Sequence, residues 1–235
     1  MRSLFFASFI LVLALILSAC SSHSNDLTTD SGALAEGGQL LERGFYEESR
    51  KQFMRIKTEF PQSPLQVQAS LKLAESYFKE ESYGAAATSY QEFIKTYPGR
   101  PEIPDALFQL GLCYAQQMPS TAQRDTRATG QALDTFTRLL ADYPDFSKRE
   151  EAQRWIEKSQ NQLADKIFEI ARYYEKRGLY DSAARRYAEV VRHYGFLPQA
   201  KEAMTAQIRC LRKAGQNDAA ENLVRDFNQR FPSPQ

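Results

Sequence analysis

Five segments of this 235-residue chain finish on an aromatic residue followed by proline or glycine: Phe60-Pro61, Tyr97-Pro98, Tyr143-Pro144, Tyr194-Gly195 and Phe231-Pro232, at spacings of 37, 46, 51 and 37 residues. Counted back from the proline or glycine, the twelfth residue is small each time: Ser49, Ala86, Ala132, Ala183, Ala220. The eighth is bulky (Phe53, Tyr90, Phe136, Tyr187, Val224), and so is the fifth (Ile56, Phe93, Leu139, Val190, Phe227). Steps of four, three and four residues put these side chains on one face of a helix. A chain repeating such a helix is committed to burying that face against a neighbour of its own making.

A second helix precedes each of these. Small residues recur at Gly37, Ala74, Gly111 and Ala171, with Ile208 as the poor match of the fifth copy, and three residues on come Leu40, Tyr77, Tyr114, Tyr174 and Leu211. Small residues let two helices approach while large ones fill the grooves beside them. Gly44 and Gly178 fall in the turns between paired helices. Pro64 after Ser63, and Ser147 with Glu150 as a capping box, are expected to start helices. The small-Tyr-Ala-Phe-Pro skeleton resembles the tetratricopeptide repeat. It implies an all-α fold, a right-handed α-solenoid of five tetratricopeptide-like helix pairs, stabilised by nearest-neighbour contacts.

Two departures stand out. Gln116 to Arg127 reads as a polar loop inside the third pair, broken by Pro119. Lys148 to Arg177 contains neither Gly nor Pro and reads as one long helix, with Ile156, Leu163, Ile167, Ile170 and Tyr174 along one stripe. Net charge is near zero, but residues 20–147 carry 12 basic against 17 acidic side chains and residues 148–235 carry 17 against 12. The split suggests an N-terminal lobe at 33–147 (repeats 1–3) and a C-terminal lobe at 148–235 (repeats 4–5), with separate partners.

The start of the chain reads as an address. Arg2 precedes Leu4 to Leu17, in which Ser8 is the one polar residue, and the run meets Leu17-Ser18-Ala19-Cys20, which resembles a bacterial lipobox. That implies a signal peptide at 1–19 and a Cys20 carrying diacylglycerol and N-acyl (palmitate-type) chains, followed by a flexible tether at 20–32. Ser21 rather than Asp follows the cysteine, which by resemblance to enteric-type lipoprotein sorting implies the outer membrane, on its periplasmic side.

Catalytic and cofactor motifs do not occur: no phosphate-cradling glycine loop, nucleophile elbow, paired-histidine zinc helix or Cys-x-x-Cys. We therefore expect no enzyme activity, no metal and no cofactor beyond the lipid. The charge balance argues against nucleic-acid binding. His193 suits a helix C-terminus, His23 lies in the tether, and Cys113 and Cys210 read as small buried hydrophobes. Binding is what remains. By register, Leu41, Leu71, Glu75, Phe78, Lys79, Phe108 and Leu112 are expected to face a groove suited to an extended segment with aromatic side chains. Arg185 and Arg186, just before Tyr187, read as partner-docking residues, with two solvated arginines as the open alternative.

The lipobox, tether, five repeats, long fourth-copy helix and third-copy loop leading through Gln123-Arg124-Asp125 to Thr135-Phe136-Thr137-Arg138-Leu139 together resemble the BamD family of outer-membrane assembly lipoproteins. The resemblance covers essentially the whole chain. It implies a non-enzymatic scaffold of the β-barrel assembly machinery (the BAM complex), which promotes protein insertion into the membrane. Its C-terminal lobe would dock the periplasmic domains of BamA, beside other BAM lipoproteins, and its N-terminal groove would take targeting segments of unfolded outer-membrane β-barrel proteins. The competing reading is another tetratricopeptide outer-membrane lipoprotein, such as a pilus secretin pilotin or an adaptor for cell-wall enzymes.

Overall fold

The computed structural model describes residues 28–121 and 125–232, so the signal peptide, the Cys20 lipobox and most of the tether lie outside the described residues. Among the described residues the chain is entirely α-helical, in ten helices and no strand. They are α1 (Asp30–Glu42), α2 (Tyr46–Glu59), α3 (Gln66–Lys79), α4 (Tyr83–Thr96), α5 (Ile103–Gln116), α6 (Arg127–Asp142), α7 (Arg149–Lys176), α8 (Tyr180–His193), α9 (Gln199–Lys213) and α10 (Asn217–Arg230). None of them is long and apolar enough to cross a membrane. The described residues form two compact units divided between Leu73 and Ala74. The lobe boundary expected at 147/148 from charge does not coincide with this division.

In the first unit α1 packs on α2. Thr29 caps α1 by accepting from the Gly32 N–H at 3.0 Å, which satisfies one of the donors a helix start leaves open. Gly37 sits directly over the fully buried Phe53 ring, since a Cβ there would meet Phe53 Cε1 at 2.6 Å. The small residue Ser49, one turn before Phe53, donates to the Gly37 carbonyl at 2.7 Å. The Gln66 side chain donates to the carbonyls of Ile56 and Phe60 at 2.9 and 2.8 Å, closing the end of α2. Helix α3 begins at Gln66, so Pro64 does not occupy its first turn; Ser63 Oγ instead accepts from the Leu65 N–H in the preceding turn.

In the second unit α4 to α10 each pack on the next helix in sequence. The large positions named above are core: Tyr90, Phe93, Phe136, Leu139, Tyr187 and Val190 are all buried, whereas Val224 and Phe227 of the fifth copy are only half-buried. Turns inside the pairs place Gly44, Gly178 and Gly215 at φ of 79, 73 and 78°, and Glu81 at 63° in the equivalent turn of the second pair. At Gly195, where the other copies have proline, an added Cβ would lie 2.6 Å from the Val191 carbonyl oxygen.

The long helix α7 has 28 residues, a length of about 42 Å at 1.5 Å per residue. It touches α6, α8 and α9. Its fully buried seam is Ala152, Ile156, Ser159, Ala164 and Ala171, while Leu163, Ile167, Ile170 and Tyr174 are half-buried. Small residues thus set the approach and the larger stripe flanks it. The Ser147–Glu150 capping box does not form: the helix is capped at Lys148 without a side-chain bond, and Arg149 donates to the Pro144 carbonyl at 2.8 Å.

Candidate functional site

The expected groove residues separate by their offset from the small residue of each first helix. Leu41 lies one turn after Gly37 and Phe108 lies three residues before Gly111, so both share the stripe that meets the paired helix. Both are 2% exposed. Expecting them to line a groove was wrong. Phe108 packs on Phe136 and Phe146 at centroid distances of 5.8 and 5.5 Å, with Lys148 Nζ 4.9 Å above the ring. Leu71, in the first unit, is half-buried.

The remaining positions look outward to a greater degree. In the second unit's part of α3, Lys79 is exposed and pairs with Glu75 at 3.6 Å, one turn apart. Phe78 between them is half-buried and meets Tyr83 edge-on at 5.3 Å. Leu112 on α5 is also half-buried. The arrangement around Phe78 offers a partly open aromatic face with a cation and a carboxylate beside it.

Arg185 and Arg186 are both exposed at the start of α8 but differ in setting. Arg185 donates to Ser182 Oγ at 3.2 Å. Arg186 is held by both Glu189 carboxylate oxygens at 2.9 Å and forms one wall of a cleft of about 730 Å³. The rest of that cleft comes from α7: Lys166, Glu169, Ile170, Arg172, Tyr173, Tyr174 and Lys176. Four cationic side chains face one carboxylate there, beside a Tyr173 that is 53% exposed. Sequence reasoning found Arg186 but missed this cleft. Its signal was the spacing Lys166, Ile170, Tyr173, which runs along one side of α7 at helical period.

A tightly built polar network lies nearby. Glu175 accepts from Arg209 Nε and Nη2 at 2.7 and 2.9 Å and from the Tyr187 hydroxyl at 3.0 Å, tying α7, α8 and α9 together. The Arg209 hydrogen bond holds the Glu175 carboxyl below its ordinary value. Cys113 and Cys210 are free thiols and buried; burial pushes them up to about 12 and about 11, away from the reactive thiolate. Among the described residues no group of His, Cys, Asp and Glu could hold a metal ion.

The third-copy loop is clamped at both of its roots by α7. Gln162 donates to the Pro119 carbonyl at 2.5 Å and accepts from Thr129 Oγ1 at 3.0 Å. Lys166 donates to Thr126 Oγ1 at 3.1 Å. Residues 122–124 of the loop, including Gln123 and Arg124, lie outside the described residues.

Comparison with known proteins gives this architecture its relatives. The chain is 26% identical over 196 residues to the outer membrane protein assembly factor BamD of Caulobacter vibrioides, covering 83% of this chain and 64% of that protein's length. It is 25% identical to BamD of Neisseria meningitidis serogroup A (94% of this chain, 89% of the relative) and 26% identical to BamD of Rickettsia prowazekii (96% and 91%). Among solved structures, the complex of the yeast Sti1 TPR2AB domain aligns over 86% of this chain and 78% of its own at 12% identity, with a TM-score of 0.43. The family model YfiO, described as outer membrane lipoprotein, matches residues 28–225. The chain belongs to that outer-membrane lipoprotein family.

Proposed function

We propose that this chain is a lipid-anchored scaffold of the machinery that assembles β-barrel proteins in the outer membrane, acting by binding and not by catalysis. The family match over residues 28–225 carries this reading, and the relatives named as outer membrane protein assembly factors supply the role. The anchor is the acylated Cys20, at the periplasmic side of the outer membrane. Two faces divide the work. The cationic cleft with Arg186 docks the periplasmic domains of BamA, supported by its four cations and exposed Tyr173; other BAM lipoproteins are the further neighbours. The face of Glu75, Phe78 and Lys79 takes the aromatic-ended targeting segment of an unfolded barrel protein. Holding that segment near the barrel subunit raises its effective concentration without any new contact.

The test is affinity purification of the full chain from solubilised membranes. The barrel subunit should co-purify, and Arg186→Glu should reduce its recovery several-fold. Recovery of a pilus secretin or of cell-wall enzymes without the barrel subunit would transfer the chain to the competing tetratricopeptide lipoproteins. Phe78→Ala should weaken binding of a C-terminal barrel-protein peptide with helicity unchanged. Cys20→Ala should release the chain from the membrane fraction.

A further inference from the structure

A second cleft, of about 630 Å³, opens between α4 and α6 over α5. Leu110 and Tyr114 of α5 form its floor, both nearly covered, and Ile94 of α4 with Pro98 just after that helix adds apolar wall. The rim carries charge of opposite sign on opposite sides. Lys95 stands on α4 and Asp134 on α6, both exposed and neither in an ion pair or a hydrogen bond with another described residue. The nearby Arg138 is already held by Asp142 at 3.3 Å. Several charged residues pair one turn away along their own helix, as Lys51, Arg55, Lys79, Arg138 and Arg230 do. A cation from α4 and an anion from α6 thus flank one apolar floor, giving the cleft a polarity that a ligand can match. The Tyr114 hydroxyl accepts from Gln91 Nε2 at 2.7 Å. Burial raises its titration, so it keeps its proton and has a donor left for a backbone carbonyl.

We propose that this cleft is a docking site for an extended segment of a protein partner that presents an acidic, an apolar and a basic side chain on one face. The carboxylate meets Lys95, the apolar side chain enters over Leu110 and Tyr114, and the cation meets Asp134. In an extended chain every second residue faces the same side, at about 3.3 Å per residue, so the three side chains belong at positions i, i+2 and i+4. Nothing in this inference depends on which partners the Arg186 cleft or the Phe78 face engages.

The probes are three labelled peptides, Ac-Glu-Ser-Leu-Ser-Lys-NH2 and its Glu/Glu and Lys/Lys counterparts, titrated into the full chain and read by amide chemical shifts and anisotropy. The dipolar peptide should bind about fivefold more tightly than either counterpart, the size two rim ion pairs provide. It should move the resonances of Gln91, Leu110, Tyr114 and Thr135. Lys95→Glu should shift the preference to the Lys/Lys peptide and Asp134→Lys to the Glu/Glu peptide. Both positions are exposed on helix surfaces, so unchanged helicity checks the fold. An unchanged order of preference in the two variants, shifts confined to other residues, or no binding by any of the three peptides would each overturn the assignment.

Discussion

The pairs α5–α6 and α7–α8 meet the same packing demand in opposite ways. In α5–α6 the large residue is Phe136 and the helix facing it offers Gly111, where an added Cβ would lie 2.6 Å from Phe136 Cε1 and Cζ. In α7–α8 the large residue is Tyr187 and the facing residue is Ala171, both buried. The first unit repeats the glycine solution with Gly37 and Phe53. Where the ring is Phe, the backbones close on the ring itself. Where it is Tyr, the hydroxyl must be satisfied, and Tyr187 donates to Glu175, which Arg209 holds from the third helix. One arrangement depends on close fit and the other on polar linkage, so they should fail under different conditions.

The largest effect should come from breaking the close fit. Gly111→Ala gains about 1 kcal/mol of helix propensity but forces a methyl group into an occupied space, which typically costs about 1–3 kcal/mol. We expect a net loss of up to about 2 kcal/mol, read as a lower denaturant midpoint, with partial recovery on adding Phe136→Leu. A more stable Gly111→Ala would mean that Phe136 can move aside at no cost. The reverse change, Ala171→Gly, relieves no clash and should cost only about 1 kcal/mol through helix propensity.

Breaking the polar linkage should have an effect of similar size that, unlike the first, depends on pH. Glu175→Ala removes the acceptor of Tyr187 and the carboxylate that Arg209 grips, about 1–2 kcal/mol for charge-assisted bonds at a partly exposed site. The folded-state titration of Glu175 lies below the 4.5 of a free carboxyl. Its contribution is therefore complete above about pH 4.5 and disappears as pH falls through the lowered folded value. Wild type and Glu175→Gln should converge in stability over that acid range, whereas the Gly111→Ala penalty should be the same on both sides of it. A Glu175→Gln difference that does not shrink at all as pH falls below about 4.5 would show that shape and not charge makes this link.

The contrast also explains what the amino-acid sequence disclosed and what it withheld. The helix pairs, the inserted loop and the long helix could be read because aromatic-Pro endings and small residues recur at fixed offsets, and Phe53, Tyr90, Phe136 and Tyr187 are buried as that pattern requires. Leu41 and Phe108 misled because apolar residues on a first helix serve both the groove and the pair interface; only their offsets from Gly37 and Gly111 separate the two uses. The cleft beside Arg186 was hidden because its walls come from α7 and α8 together, and position along one helix does not reveal which side chains converge.

The turns inside the pairs carry the comparison to its finest scale. The pair α7–α8 turns on Gly178 at φ 73°, while α3–α4 turns on Glu81 at φ 63°. A residue with a Cβ is penalised in this region by about 1–2 kcal/mol, and glycine is not. Gly178→Ala should therefore cost about 1 kcal/mol. Glu81→Gly should recover the strain at Glu81, but glycine also gives the unfolded chain more freedom to lose, worth about 0.5–1 kcal/mol in the other direction. The two terms leave a gain of about 0.5 kcal/mol, seen as a small rise in the denaturant midpoint with an unchanged slope. A loss of stability in Glu81→Gly would mean that the Glu81 side chain contributes more to this turn than its backbone strain takes away.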